Sequence, residues 1–159
     1  MESTDVLVIG SGIAGLCAAI EAARTGATVT VASAGKTMSG SSFFPGTWGL
    51  GLIGPVDEDD EQDLIDTILA VGGGVADPEL VQTFVHGIPQ AIDWLEQDLG
   101  VELQRPQSAK SAQQKQFIPC FDHKTRMWRG LTRKPLEDAL TTWIESLGIR
   151  LLPRHELID

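Results

Sequence analysis

The stretch DVLVIGSGIAGLCAAIEAARTGATVTVASAG, residues 5–35, decides how this chain folds. Val6-Leu7-Val8-Ile9 is an uninterrupted apolar run, the pattern of a parallel strand covered on both faces. A turn follows at Gly10–Gly15. Ile13 to about Thr25 reads as a helix closed by Gly26, and Thr28–Ala32 as a second, β-branched strand. Together they predict a β-α-β unit with a right-handed crossover. In Gly10-Ser11-Gly12-Ile13-Ala14-Gly15 each glycine has its own duty. The first permits the tight turn, the second removes a Cβ that would block a pyrophosphate, and the third lets helix and strand pack closely. The helix N-terminus adds open N–H groups and partial positive charge. A G-x-G-x-x-G between a strand and a helix therefore predicts dinucleotide binding.

Composition narrows the partners. The chain has 159 residues, enough for one domain with a real core, and a formal charge of −10. Such a surface repels phosphodiester backbones, so nucleic acid is not expected as a partner. A dinucleotide is still admissible, because backbone amides rather than net charge hold it. No run approaches the roughly 20 apolar residues that span a bilayer, and no basic leader precedes Val6. The two cysteines, Cys17 and Cys120, have no metal-binding spacing. Cys17 reads as a small core residue and Cys120 as loop packing, with a pocket role as the alternative. The expectation is a reduced, cytoplasmic protein without a metal.

Beyond the first unit, residues 35–56 are rich in glycine and carry Phe43, Phe44 and Trp48 without a helical or alternating period. They read as an ordered loop whose backbone approaches a ligand closely. The acidic run Asp57–Asp63 reads as the solvated start of a helix carrying Leu64, Ile65, Ile68 and Leu69. Asp77-Pro78 begins another helix, with Leu80, Val81, Phe84, Val85, Ile88, Ile92, Leu95 and Leu99 as its buried stripe and Trp94 beside it. Pro89 is expected to kink or divide that helix, and Gly100 to end it. Residues 105–130 are polar and irregular apart from Phe117-Ile118-Pro119 and Met127-Trp128. A last helix over about 135–147 and a strand over 149–152 close the pattern. His123, Arg126 and Arg129 form a cationic cluster that suits a carboxylate pocket, a solvated loop or a patch facing a missing domain; the solvated and patch readings are the simpler ones. His86 and His155 read as packing or solvent residues.

A ribose-binding acid normally ends the second strand of a dinucleotide fold, and Ser33 stands there instead. That departure, with DVLVIGSGIAGLCAAIEAA and GSSFFPGTWGLGL, resembles the FAD-binding domain of the succinate dehydrogenase/fumarate reductase flavoprotein family, in particular its L-aspartate oxidase-like branch. DTILAVGGGVADPELVQTFVHGIPQAIDWLEQDLGVEL and GLTRKPLEDALTTWIESLGIRLLPRHELID are similar to later parts of the same domain. The resemblance implies an α/β, Rossmann-like FAD/NAD(P)-binding domain with a parallel sheet, with residues 1–159 as its incomplete N-terminal segment and the capping domain absent.

It further implies that Gly10, Ser11, Gly12, Ile13, Ala14 and Gly15 hold the FAD pyrophosphate and that Ser33 faces the adenosine ribose. Ser41, Ser42, Phe43, Phe44, Gly46, Thr47, Trp48 and Gly49 would run along the pyrophosphate and isoalloxazine. Ser41 matches the position of a flavin-linking histidine in the succinate dehydrogenase branch, so FAD is expected to be non-covalent. Ala34 replaces a family lysine, with Lys36 two residues on, and Pro45-Gly46-Thr47-Trp48-Gly49 replaces an AQGG-type stretch. The implied chemistry is hydride transfer between flavin and a small carboxylate such as L-aspartate, succinate or fumarate. Catalytic residues are expected beyond Asp159, so the isolated chain is expected to be inactive and, with sheet edges open, prone to self-association. An NAD(P)-binding dehydrogenase domain and a catalytically inert module are the alternatives.

Overall fold

A computed structural model of the chain describes residues 3–44, 51–107, 124 and 126–158. In chain order the elements are β1 (Val6–Ile9), α1 (Ile13–Arg24), β2 (Val29–Ser33), a 3-10 turn (Ser41–Phe43), β3 (Gly51–Gly54), α2 (Glu58–Val71) and α3 (Pro78–Asp93). A π turn (Trp94–Asp98), β4 (Met127–Gly130), α4 (Arg133–Ser146) and β5 (Arg150–Pro153) follow. They divide into two compact units, one drawn from residues 1–49 and 132–159 and the other from 50–131.

The first unit is a parallel sheet of order β1-β2-β5. Val6 pairs with Val29 and Ile9 with Ala32, while Val31 pairs with Leu151 across the second ladder. Parallel pairing requires a crossover, and α1 supplies it between β1 and β2. Leu16, Ala19, Ile20 and Ala23 form the buried stripe of α1, which packs against β1, β2 and α4. Leu136, Leu140 and Ile144 are the buried residues of α4. Arg24 at the end of α1 lies 5.4 Å from the centre of the Trp143 ring, a cation–π contact between the two helices. The predicted stop holds: Gly26 has φ +94°, a conformation that suits residues without a Cβ. The two-sided burial expected for β1 does not. Leu7 and Ile9 are half exposed, because α1 covers one face of β1 and no described element covers the other.

In the second unit β3 and β4 pair antiparallel, with Gly51 opposite Gly130 and Ile53 opposite Trp128. Residues 51–54 were expected to be loop, with glycines yielding to a ligand. The structure instead makes them a strand whose glycines yield to protein. A Cβ on Gly51 would lie 1.9 Å from Trp128 Nε1, and one on Gly130 2.3 Å from Trp128 Cη2. The buried indole lies across this facing glycine pair. Gly54 makes room in the same way for Ile88, whose Cγ2 would be 2.6 Å from an added Cβ.

The acidic run also differs from its expected solvated state. Asp57 caps α2 by accepting from the Asp60 amide at 3.0 Å, but Asp60 itself is only 3% exposed. Its carboxylate accepts from the Val56 amide at 2.8 Å and pairs with Arg126 and Lys124. Arg126 is fully buried, and its Nη2 lies 2.7 Å from Asp63 Oδ2 and 3.3 Å from Thr67 Oγ1. Burial would raise the Asp60 carboxyl. Hydrogen bonds from Lys124 and the Val56 amide, with the Arg126 and Lys124 charges, outweigh it and hold the group below its ordinary range.

α3 begins as predicted, with Asp77 accepting from the amides of Glu79 and Leu80. It passes through Pro89 undivided, and regular helix gives way only at the Trp94–Asp98 π turn, before Gly100 at φ +71°. Val81, Val85, Ile88 and Ile92 are buried, and so are Leu95 and Leu99 beyond. Leu80 and Phe84, expected on the same stripe, lie on its exposed flank.

Candidate functional site: an anion-binding turn

The site grows from the end of β1. Gly10 takes φ +104°, the left-handed excursion that turns the chain out of the strand, and its amide donates to Ala32 O at 2.8 Å. That bond fixes the turn to β2 and removes Gly10 as a donor to any ligand. The next four amides behave differently. α1 has Gly12 as N-cap with no side-chain oxygen in the capping position, and the first helical bond is Leu16 N to Gly12 O at 3.0 Å. Among the described residues no protein oxygen accepts from the amides of Ser11, Gly12, Ile13 or Ala14. A helix start left in this state is an anion site.

The other glycines fit the same cradle. A Cβ on Gly15 would sit 2.1 Å from Gly10 O, so the helix reaches the turn only because position 15 has no side chain. A Cβ on Gly12 would come 3.5 Å from Ser39 O, and one on Gly40, at φ +110°, would come 3.7 Å from Gly12 Cα. The Ser39–Gly40 backbone thus crosses beside the turn, which brings the start of the second glycine-rich segment to the same place.

Ser11 and Ser33 close the β2 side. Ser11 Oγ donates to Ser33 Oγ at 3.0 Å and approaches Lys36 O at 3.2 Å, and both serines are buried. Ser33 O accepts from the His155 amide at 2.9 Å. The Ser33 hydroxyl therefore meets the glycine turn directly, and a neutral pair stands where dinucleotide folds carry an acid. Ser41 is exposed, Ser42 half-buried, Phe43 buried at 3% exposure and Phe44 exposed. Phe43 is the buried residue of the 3-10 turn. Gly46, Thr47, Trp48 and Gly49 lie outside the described residues, as do Cys120 and His123.

Cys17, next along α1, is half-buried. Burial first, and the Glu21 charge second, push its thiol up to about 11. His86 is exposed with Nε2 3.7 Å from Glu61, and His155 Nδ1 rests 2.8 Å from Pro153 O. Among the described residues no group of three His, Cys, Asp or Glu side chains is placed to hold a metal, and no helix is long and apolar enough to cross a membrane. Sequence reasoning missed the burial of Arg126, whose partners lie on α2; the signal was the surplus of acids at its start.

A strand-turn-helix with four open amides and a third glycine seated on the first defines a dinucleotide-binding α/β protein. Residues 5–159 match the family model described as FAD binding domain, and the chain belongs to that family, whose cofactor is FAD. It is 45% identical over 100 residues to an L-aspartate oxidase of Halobacterium salinarum, covering 62% of this chain and 19% of that protein. It is 32% identical over 114 residues to an NADH:fumarate oxidoreductase of Klebsiella pneumoniae, covering 64% of this chain and 12% of that one.

Among solved structures, the open conformation of a flavocytochrome c3 fumarate reductase superposes with a TM-score of 0.69 at 23% identity, over 96% of this chain and 27% of its own. An E. coli quinol fumarate reductase chain gives 0.70 at 20% identity, over 98% and 26%. These likenesses place the fold. The chain spans about a fifth or less of the length of the two curated relatives named.

Proposed function

We propose that these residues form the cofactor-holding part of an FAD-dependent oxidoreductase that acts on a small carboxylate such as L-aspartate, succinate or fumarate. The observation that carries this reading is the set of open amides at Ser11–Ala14, in a chain whose family binds FAD. When bound, FAD supplies two-electron chemistry, taking or giving a hydride.

The chain's own residues bind and orient. The amides of Ser11, Gly12, Ile13 and Ala14 donate to the diphosphate oxygens, aided by the α1 dipole. Gly15 holds those amides against the strand end. The Ser11–Ser33 pair borders the adenosine ribose, and the segment from Ser41 leads on toward the flavin ring. Ser41 offers a hydroxyl where a flavin-linking imidazole would be needed, so FAD is released on denaturation. Proton transfer to substrate is assigned to residues outside these 159, and the isolated chain binds FAD without turnover.

The test is calorimetric titration with FAD and with NAD, followed by denaturation and analysis of the supernatant for free flavin. The expected result is saturable FAD binding, tighter than NAD, with full release. A protein indifferent to FAD, or one preferring NAD, would defeat the reading.

A further inference from the structure

Two arginines stand three residues apart around β4, and the fold treats them oppositely. Arg126 is saturated by Asp60, Asp63 and Thr67. Arg129 is paired in register with Leu52, which puts it on the face of the β3–β4 pair opposite Trp128. Its Nη1 donates to the Trp128 carbonyl at 2.9 Å, while its Nε–H is buried and meets no acceptor. Among the described residues no carboxylate pairs with it. This is notable in a chain with 22 acids and a charge of −10, where Arg24, Arg105 and Arg133 each hold a glutamate.

A guanidinium presents five donors in a rigid fork. Leaving Nε–H buried without an acceptor is unfavourable unless something else accepts from it. We propose that Arg129 is an oxyanion-recognition residue, with Nε–H and the neighbouring Nη edge taking two oxygens side by side. The oxygens are those of a small carboxylate. That choice of ligand rests on the flavoprotein reading.

The experiment compares wild-type protein with Arg129→Gln and Arg129→Lys, using exposed Arg133→Gln as control. Calorimetry measures malonate, an unreactive dicarboxylate, and FAD separately. Arg129→Gln is expected to weaken malonate at least tenfold and to leave FAD within twofold. A loss of FAD affinity with malonate unchanged would overturn the proposal. Arg129→Lys, which keeps the charge but loses the fork, recovers part of the loss. In wild-type protein, malonate should also protect Arg129 from phenylglyoxal, read by mass spectrometry without any variant.

Unchanged affinities for both ligands with no protection overturn the proposal, as does a loss of folding in both variants without protection in wild type. Malonate protection of Arg129 in a protein that binds no FAD would sink the flavoprotein reading and leave this one standing.

Discussion

Gly15 shows how little room the turn leaves. An added methyl would stand 2.1 Å from the Gly10 carbonyl oxygen, which is backbone and has nowhere to go. Gly15→Ala should therefore push the start of α1 away from the strand end. It should cost about 1–3 kcal/mol of stability, as overpacking does. FAD affinity should fall at least tenfold in a titration, and an unaltered affinity would contradict the geometry. Cys17 is a second residue with a defined consequence. Its thiol is held up to about 11 against an ordinary 9.0, so the folded state keeps the proton that the unfolded chain gives up. Stability should decline as pH rises from about 9 toward 11, and thiol-reagent labelling should stay slow until that range. Cys17→Ala should flatten the alkaline part of a pH-stability curve; an unchanged slope would remove Cys17 as its source.

At the scale of elements, α2 is tied by charge to Lys124 and Arg126, just before β4. Asp60 has its carboxyl pKa lowered in the fold, so it contributes stability above the unfolded value of 3.8. That contribution is lost as pH falls through the lower folded value. Asp60→Asn removes a charged partner of the fully buried Arg126 and should destabilise by about 3–5 kcal/mol at neutral pH. The gap between wild-type and variant urea midpoints should be present at pH 7 and narrow only as pH is taken well below 3.8, and a gap that persists unchanged there would count against this assignment.

This joint also marks what the sequence made legible. The phosphate turn, its three glycines, α1 and the Asp77 cap each announce themselves within a few neighbouring residues. The Asp60–Arg126 pair spans 66 positions, and neither partner signals the other locally. The strand at 51–54 was hidden for a related reason. Its glycines looked like an opening for a ligand, whereas their occupant is an indole from β4. Phe84 was placed on the buried stripe because periodicity defines a face only to within one position of its edge.

For the whole molecule, the first unit keeps an apolar face without a described cover. Leu7 is 50% exposed and Ile9 53%, on a strand at the edge of the β1-β2-β5 sheet. Parallel strands are normally covered on both faces, and an open apolar edge invites pairing. The chain alone should self-associate as its concentration rises, in spite of its charge of −10. Light scattering across a dilution series should record this, and Leu7→Lys with Ile9→Lys should suppress it. A chain monodisperse at high concentration would argue against that face as the cause.

Trp128, Gly51 and Gly130 behave as a single lock with three tumblers. Neither glycine can gain a side chain while the indole stays, and shrinking the indole leaves a hollow that only a bulkier residue at 51 or 130 can refill. Drift at these positions is consequently possible only in concert: Gly51→Ala alone should be poorly tolerated, yet partly rescued when Trp128 is shortened to leucine.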